Sequence, residues 1–102
     1  MFNVIARRTL LAYCVMYPEA SNALREWYEE IINAEFSSFQ ELKGVFAKSS
    51  LVGDDRVVFN IVGNRYRLVV RIVFEYKTVQ IKWFGNHAEY DKVDVKTVQY
   101  KP

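Results

Sequence analysis

The chain has few of the residues that build disulfides, metal centres and sharp turns. Its 102 residues include one cysteine, one histidine, two prolines and four glycines. The single cysteine, Cys14, rules out an internal disulfide and suits a reducing cytoplasm. A zinc site needs more cysteine and histidine ligands than one of each. We therefore expect neither a metal nor another cofactor.

Several other signatures are also missing. The glycines are scattered and form no phosphate-cradling loop, and no Gly-x-Ser-x-Gly motif marks a nucleophilic serine. No apolar run approaches the roughly 18 residues of a membrane span. The first eight residues carry charge but no signal-like apolar stretch that ends in small residues. We expect a soluble cytoplasmic protein.

Apolar residues, in contrast, are plentiful. Hydrophobic residues make up 51% of the chain and aromatic residues 16%, which is ample for the core of one domain over residues 1–102. The formal net charge is only +2. A small positive charge permits a nucleic-acid partner without arguing for one, so the placement of the basic residues matters more than their number.

The first half of the chain has a helical hydrophobic period, after a very short predicted strand at residues 4–5. A helix is predicted over residues 6–17, and Pro18 either ends it or opens the next helix. In that second helix Leu24, Trp27 and Ile31 lie on one inward stripe. Ser38, with Glu41 three residues later, predicts a capping box and a short third helix.

The second half alternates with the period of strands, over residues 56–62, 65–76 and 79–86. Residues 49–55 are predicted to be a polar loop, Gly63 and Asn64 a hairpin turn with positive φ, and residues 87–92 a helical turn. The tail after Val95 is either a fourth strand or a loose end. The pattern predicts an α+β fold, in which two to three N-terminal helices pack on one face of a small antiparallel sheet and the other face is exposed and polar.

Three arginines share the outward face of the strand predicted at 65–76. Alternation places Arg65, Arg67 and Arg71 there, opposite an apolar face. Long basic side chains can simply keep an exposed sheet face soluble. Arginine also binds phosphate through paired hydrogen bonds and stacks on bases, which lysine does less well. With Lys82 on the next strand, these residues form a patch that suits a nucleic-acid backbone.

Side chains that can move protons follow the last strand. His87 is the only histidine, and histidine ordinarily changes charge between about pH 5 and 8. A lone histidine is most often a surface or helix-cap residue. Here Glu89, Tyr90 and Asp91 follow within four residues, so acid, base and hydroxyl groups are all available beside the basic strands.

Two further positions allow two interpretations each. Asn60 lies in mid-strand, where asparagine is disfavoured, and it is either structural or a hydrogen-bonding partner of a base or a catalytic group. Trp83 and Phe84 cannot both be buried in a regularly alternating strand. One is expected in the core, and the other is left as an exposed aromatic ring on which a base can stack.

Three groups of residues together resemble one protein family. They are Tyr17 and Pro18 ahead of Leu24 and Trp27, the segments VFNI at 58–61 and GN-x-YRLV at 63–69, and H-x-EYDK at 87–92. This pattern is similar to that of the HigB-type toxins of type II toxin–antitoxin systems, within the RelE-like mRNA interferase superfamily. The family often carries threonine just before the histidine, where this chain has Asn86.

The resemblance implies a RelE-like fold and an mRNA endonuclease that inhibits translation, generally by cutting message on the ribosome. It also implies neutralisation by a HigA-type helix-turn-helix antitoxin. RelE-like toxins vary in their catalytic residues, so the resemblance supports the location of the site better than the role of each residue.

On this basis we predict a metal-independent endoribonuclease. Arg67 stabilises the charge on phosphorus, His87 acts as general acid or base, and Tyr90 is a second acid/base or orienting group. The other predicted RNA contacts are Asn60, Arg65, Arg71, Lys82 and Lys92. The alternative is a non-catalytic module of the same fold, which binds RNA or the ribosome, or whose basic face only docks an acidic antitoxin.

Overall fold

A computed structural model of the protein describes residues 1–5, 7–53 and 55–99. Across these ranges the elements are β1 (Asn3–Ile5), α1 (Arg7–Met16), a 3₁₀ turn (Pro18–Ala20), α2 (Ser21–Ile32), α3 (Phe39–Val45), β2 (Ser49–Val52), β3 (Arg56–Ile61), β4 (Tyr66–Val73), β5 (Thr78–Asn86) and α4 (His87–Tyr90). The α+β class is confirmed. Three helices precede the main strands, and the short α4 follows them. No helix in these ranges is long and apolar enough to cross a membrane.

The sheet has five strands in the order β1-β5-β4-β3-β2. The predicted antiparallel meander is formed by β3, β4 and β5, and β2 extends it as a fourth antiparallel strand. Strand β1, however, pairs parallel to β5, from Asn3 opposite Thr78 to Ile5 opposite Gln80. The prediction of a purely antiparallel sheet is therefore wrong. A parallel pair needs a long crossover, and the helices between β1 and the rest of the sheet supply it.

The helices bury their apolar stripes in one cluster with one face of the sheet. Leu24, Trp27 and Ile31 of α2 are buried, as predicted. The cluster also takes side chains from α1, α3 and the inner sheet face, among them Leu10, Cys14, Leu42, Val57, Phe59, Leu68, Val70 and Ile72. Burial of this apolar surface is the main force that holds helices and sheet together.

The start of α3 is capped by Ser38, as predicted, although the reciprocal half of the box differs. Ser38 Oγ accepts a hydrogen bond from the Glu41 backbone N–H at 3.3 Å. The Glu41 carboxylate accepts from the backbone N–H of Ser37 at 2.9 Å, one residue before the cap. The helix still begins where the sequence predicts.

Residues 49–52 form a strand, so the prediction of a polar loop over 49–55 is wrong there. Strand β2 pairs antiparallel with β3, from Ser49 opposite Phe59 to Val52 opposite Arg56. Ser49 is 1% exposed, and its hydroxyl donates to the Phe46 carbonyl at 2.5 Å. The polar side chain of Ser49 suggested a loop, but its hydroxyl is hydrogen-bonded to a nearby carbonyl and can therefore be buried in an edge strand.

The hairpin between β3 and β4 turns one residue earlier than predicted. Positive φ angles occur at Val62 (54°) and Gly63 (61°), and not at Asn64. A β-branched residue with positive φ is a true outlier, because its side chain crowds the backbone there. Strand β4 begins at Tyr66, so Arg65 lies in the turn and not in the predicted strand.

The outer face of the sheet, which the sequence predicts to be exposed and polar, is buried in its middle. Arg56, Val58 and Val69 are all at most 8% exposed. The Arg56 guanidinium donates to the carbonyls of Val95 and Val98 at 3.0 and 2.7 Å. The C-terminal segment therefore crosses this face. As far as residue 99, where the description ends, this tail makes turns and no strand.

A β-bulge in β5 decides which of its two aromatic neighbours is buried. Val69 lies opposite Trp83 and Val70 lies opposite Ile81, so Lys82 is the extra residue. Without the bulge, alternation from Ile81 would turn Trp83 inward. With it, Phe84 is 4% exposed in the core and Trp83 lies on the outer face, half-buried. The predicted split between the two rings is confirmed.

Candidate active site

Arg67 lies on the outer face near the start of β4, where the preceding turn holds its guanidinium. Nη1 donates to the carbonyls of Asn64 and Tyr66 at 2.9 and 3.1 Å. Nη2 donates to Asn64 Oδ1 at 3.3 Å. These acceptors are neutral, and no carboxylate in the described part of the chain forms an ion pair with Arg67. The positive charge is thus fixed in place without being neutralised.

Asn60 belongs to the same network. It lies opposite Arg67 in the β3–β4 ladder, and its Nδ2 donates to Asn64 Oδ1 at 3.2 Å. The Asn64 side chain therefore joins the strand residue to the guanidinium. This position places Asn60 on the Arg67 face, which is one of the two interpretations that the sequence allows, and gives it a role in shaping the turn.

Two aromatic rings continue this surface. The Arg67 guanidinium carbon lies 5.9 Å from the centroid of the Tyr90 ring, within the range of a cation–π contact. The Tyr90 ring lies 6.2 Å from that of Trp83. A Cβ at Gly85, the residue opposite Arg67, would come within 2.6 Å of a Trp83 ring atom. The missing side chain at Gly85 therefore lets the indole ring lie close over β5.

Helix α4 is a single turn whose start is well determined. Asn86 caps it with a complete capping box: Asn86 Oδ1 accepts from Glu89 N at 2.8 Å, and the Glu89 carboxylate accepts from Asn86 N at 3.0 Å. Asn86 therefore serves as the N-cap at the position where HigB-type toxins, which the sequence resembles, often have threonine. His87 and Tyr90 are three residues apart, so they share one side of this turn.

The His87 side chain is exposed and lines a cleft that also includes Glu19, Arg65 and Tyr66. Its backbone N–H donates to the Arg65 carbonyl at 2.9 Å, which ties α4 to the β3–β4 hairpin. Across the cleft, Arg65 Nη1 pairs with the Glu19 carboxylate at 3.4 Å, and the Tyr66 hydroxyl donates to the same carboxylate. The hydrogen bond to Glu19, more than burial, raises the pKa of Tyr66.

Tyr17 anchors α4 from the helical side. Its hydroxyl donates to Glu89 Oε1 at 3.3 Å, and its ring contacts those of Tyr66 and Phe84. Burial raises the pKa of Tyr17 most, and the negative charge of Glu89 raises it further. The carboxylate of Glu89 thus holds both the cap of α4 and the 3₁₀ turn beside it.

Arg71 and Lys82, two predicted RNA contacts, lie at the other end of β4. Arg71 Nε is 2.5 Å from Asp55 Oδ2, so its charge is already paired. Lys82 Nζ donates to Gln99 Oε1 at 3.0 Å. Burial lowers the pKa of Lys82, with the charges of Arg56 and Arg71 as further causes. Arg71 lies four positions along the strand from Arg67, a distance of about 13 Å.

The structure therefore brings some of the predicted site residues together and separates others. Around the start of β4 and α4 it gathers Asn60, Arg65, Arg67, His87 and Tyr90, with the exposed Lys92 just after α4. Arg71 and Lys82 are not part of this group. Asn64, Gly85 and Glu89 are supporting residues that the prediction did not include in the site. The spacing of Asn86 and Glu89 is itself a capping-box signal, so Glu89 was within reach of sequence reasoning.

Within the described ranges, no group of three or more His, Cys, Asp or Glu side chains is placed to hold a metal ion. The arrangement offers a fixed cation next to the phenol ring of Tyr90 and the half-buried indole of Trp83, with the exposed imidazole of His87 on the same one-turn helix as Tyr90.

The chain is similar to one family of known proteins. A curated protein from Escherichia coli O6:H1 (strain CFT073), named mRNA interferase HigB, is 32% identical over 79 residues, which cover 76% of this chain and 77% of that protein. Residues 20–93 match the model of the HigB toxin family, described as the RelE-like toxic component of a toxin–antitoxin system. That range runs from α2 to just beyond α4 and includes most of the candidate site. The chain therefore belongs to the HigB toxin family.

Proposed function

We propose that this protein is the toxin of a toxin–antitoxin pair and an endoribonuclease that cuts mRNA. The observation that carries the proposal is the state of Arg67, whose guanidinium is held by neutral acceptors and lies over the Tyr90 ring. A fixed, unneutralised cation at the edge of a half-buried aromatic surface suits a phosphate flanked by bases. The relative named mRNA interferase HigB supports the same activity.

The reaction uses the ribose of the substrate as the nucleophile. A base on the protein removes the proton of the 2′-hydroxyl, and the 2′-oxygen attacks the adjacent phosphorus. The bond from phosphorus to the 5′-oxygen breaks, and an acid donates a proton to that oxygen. The products are a 2′,3′-cyclic phosphate and a 5′-hydroxyl end. DNA cannot react in this way because it lacks the 2′-hydroxyl.

Arg67 is proposed to bind the phosphate oxygens as negative charge builds on them. Because the turn carbonyls already orient the guanidinium, little reorganisation is needed in the transition state. His87 is proposed as the general acid or base, since its exposed imidazole lies on the same one-turn helix as Tyr90. Tyr90, beneath the guanidinium, is the second acid/base or orienting group.

The neighbouring residues are proposed to hold the RNA on either side of the scissile phosphate. Trp83 offers the half-buried indole ring beside Tyr90 as a surface on which a base stacks. Arg65 and Lys92, both exposed near α4, are placed to bind backbone phosphates, and Asn60 lies beside Arg67 on the same face. Arg71 and Lys82 are proposed to contact only RNA that extends towards the far end of β4.

The proposed setting is the bacterial cytoplasm, with translated message on the ribosome as substrate and a HigA-type helix-turn-helix protein as antitoxin. The family is that of the toxic component of such a pair, which supports an antitoxin partner. The ribosome as the place of cutting and the HigA type of antitoxin are further parts of the proposal.

The decisive experiment examines the cut ends of RNA. Expression of the protein is induced in a bacterial host, and message ends are mapped by primer extension. Purified protein is then given a labelled RNA in the presence of EDTA. We expect 5′-hydroxyl and cyclic-phosphate ends, and no cutting when 2′-O-methyl groups replace the ribose hydroxyls. Ends that carry a 5′-phosphate, or full cutting of the 2′-O-methyl substrate, would refute the mechanism.

A second comparison separates the enzyme from a non-catalytic binding module. Translation of a reporter is measured with the wild-type protein and with Arg67→Ala. The ends of the reporter message are mapped in parallel, for one reporter with a start codon and one without. The proposal expects that cutting and inhibition are lost together, and that message with a start codon is cut more than the same message without one. Full inhibition of translation without any new RNA ends would favour the binding module instead.

A further inference from the structure

A groove on the helical side of the molecule is not used by the proposed chemistry. It lies between α2, the end of α3 and the end of β3, with a cavity of about 280 Å³. Its apolar lining comes from the rings of Trp27, Phe46 and Phe59. Small-molecule pockets usually measure about 300–1,000 Å³, so this cavity suits one or two side chains of a protein better than a whole metabolite.

Trp27, whose ring lines the groove, has an unusual polar feature. The side chain is 3% exposed, and no hydrogen-bond acceptor among the described residues reaches its indole Nε1. Buried indole N–H groups ordinarily have a partner, because leaving the donor unpaired is unfavourable. Because Nε1 itself is buried, an acceptor from outside can reach it only if the ring or its neighbours move, so the groove offers the apolar face of the indole and not its donor.

The rim of the groove is acidic on the α2 side. Glu26 and Glu30 both line it, both are exposed, and neither is ion-paired within the described part of the chain. They are four residues apart on one helix, so they repel each other until a cation lies near them. Lys48 is a single cation on the opposite side. Two carboxylates disfavour RNA and favour a basic protein segment.

We propose that this groove docks the antitoxin, through a segment in which an apolar anchor residue is flanked by lysine or arginine. The anchor fills the cavity against the ring of Trp27, and the basic side chains pair with Glu26 and Glu30. This assignment rests on the proposed function, because it names the binding surface for the partner of that toxin.

The groove also adjoins the candidate active site. Asn60 and Val62 line it at the end of β3. Asn60 donates to the Asn64 side chain, which in turn accepts from the Arg67 guanidinium. A segment seated in the groove therefore contacts the same hairpin that holds Arg67. Docking there gives the antitoxin a way to disturb the phosphate-binding residue from behind the sheet.

The test uses the full-length toxin and the purified product of the reading frame beside its gene. Binding is measured by calorimetry for the wild type and for the double variant Glu26→Lys, Glu30→Lys. We expect the double variant to bind at least about tenfold more weakly, since like charges across an interface repel. Glu29→Lys is the matched control on the same helix, outside this groove, and should bind as the wild type does.

A second variant tests the cavity and not the charge. Val45 lines the groove and is 59% exposed, so Val45→Arg should fold normally while obstructing the opening. Its control is Val15→Arg, at a site on α1 that is 80% exposed. In ¹⁵N spectra the chain has two tryptophan indole signals. Antitoxin binding should shift the Trp27 indole signal, because the anchor packs against that ring, and Val45→Arg should abolish the shift.

The outcomes distinguish this inference from the proposed enzyme activity. If both groove variants bind the antitoxin with wild-type affinity, the inference is wrong. It is also wrong if the wild type self-associates and the groove variants do not, because the groove would then hold a second copy of this chain. RNA cleavage by the variants without antitoxin should equal that of the wild type. If the wild type binds the antitoxin through the groove and yet cuts no RNA, the enzyme proposal fails and the docking inference stands.

Discussion

The two ends of β4 carry the same side chain in two different states. Arg67 and Arg71 lie on one face of one strand. Arg71 is paired with Asp55 at 2.5 Å, whereas Arg67 is held by the neutral acceptors of the turn. A guanidinium that is already paired with a carboxylate has less charge to offer a phosphate. The partners of an arginine, and not only its place in a basic row, therefore decide how much charge it can offer a ligand.

The surroundings repeat this contrast. Beside Arg67 lie the aromatic ring of Tyr90 and the start of α4. Beside Arg71 lie Asp55 and the half-buried Lys82. The pKa of Lys82 is lowered by burial and by neighbouring cations, and its ammonium is bonded to the C-terminal segment. The Arg67 guanidinium thus keeps an unpaired charge, whereas Arg71 is ion-paired and its neighbour Lys82 is bonded to the C-terminal segment.

The largest expected effect is on proton transfer at the Arg67 end. His87→Ala should lower the rate of RNA cleavage by about 10²–10⁴, the usual contribution of one general acid or base, and should leave RNA affinity nearly unchanged. The wild-type rate should also depend on pH between about 5 and 8, and the variant rate should lose that dependence. Both follow from single-turnover cleavage assays with a labelled RNA.

His87→Gln separates proton transfer from positioning. Glutamine can form a hydrogen bond but cannot exchange a proton at neutral pH. If this variant cleaves RNA at the wild-type rate, His87 is a positioning residue and Tyr90 must carry the acid/base step. If His87→Ala itself is fully active, His87 takes no part in the reaction, and the proposed mechanism is left without its central acid or base.

The second effect compares the two arginines directly. Arg67→Ala should lose about 2–4 kcal/mol of transition-state stabilisation, as when a preorganised donor to an oxyanion is removed. Arg71→Ala should lose far less, because Asp55 already balances its charge. Each kcat/KM is measured on folded protein, checked by circular dichroism. Equal losses from the two substitutions would show that the ion pair with Asp55 opens when RNA binds.

Most of the difference between Arg67 and Arg71 could not be predicted from the sequence. Alternation correctly predicted the face on which Arg67 and Arg71 lie, since that depends only on the local period of the strand. It did not predict that Asp55 pairs with Arg71, because the two residues are 16 positions apart and meet only through the β3–β4 pairing. Nor did it predict the Asn64 contacts, which depend on the positive φ of Val62 and Gly63.

The fold shows the same limit. The apolar stripe of α2 and the cap at Ser38 are local signals, and both were predicted correctly. The bulge at Lys82 was not predictable, because it arises from the register between β4 and β5. The parallel pairing of β1 was missed for the same reason, since three residues carry no information about which edge they join.

A smaller effect is expected on the salt dependence of RNA binding. Each lost phosphate contact should lower the slope of log affinity against log salt by about 0.7 for single-stranded RNA. The sequence alone predicts this drop for both Arg65→Ala and Arg71→Ala. In the structure Arg65 is 68% exposed, and its pair with Glu19 is long at 3.4 Å. We therefore expect the full drop at Arg65 and a smaller one at Arg71.

Asp55→Asn sharpens this prediction, because it frees the Arg71 guanidinium without moving it far. The variant should bind RNA more tightly at low salt and with a steeper salt slope than the wild type. Filter-binding titrations between low and moderate salt measure both quantities. An unchanged slope in Asp55→Asn, together with an unchanged slope in Arg65→Ala, would place the RNA path away from β4.

The smallest expected effect concerns the anchoring of the Arg67 end. Burial and the Glu89 carboxylate raise the pKa of Tyr17 above its ordinary value. A group whose pKa is raised on folding stabilises the fold below its unfolded pKa, and that contribution is lost as pH rises through the folded pKa. Glu89→Gln should lower the pKa of Tyr17 only part of the way, because burial is the largest cause and remains. Alkaline titration by tyrosinate absorbance, with Tyr17→Phe to identify its contribution, measures the shift. If the pKa falls fully to the ordinary value, the charge of Glu89, and not the packing of Tyr17, secures α4 beside Arg67.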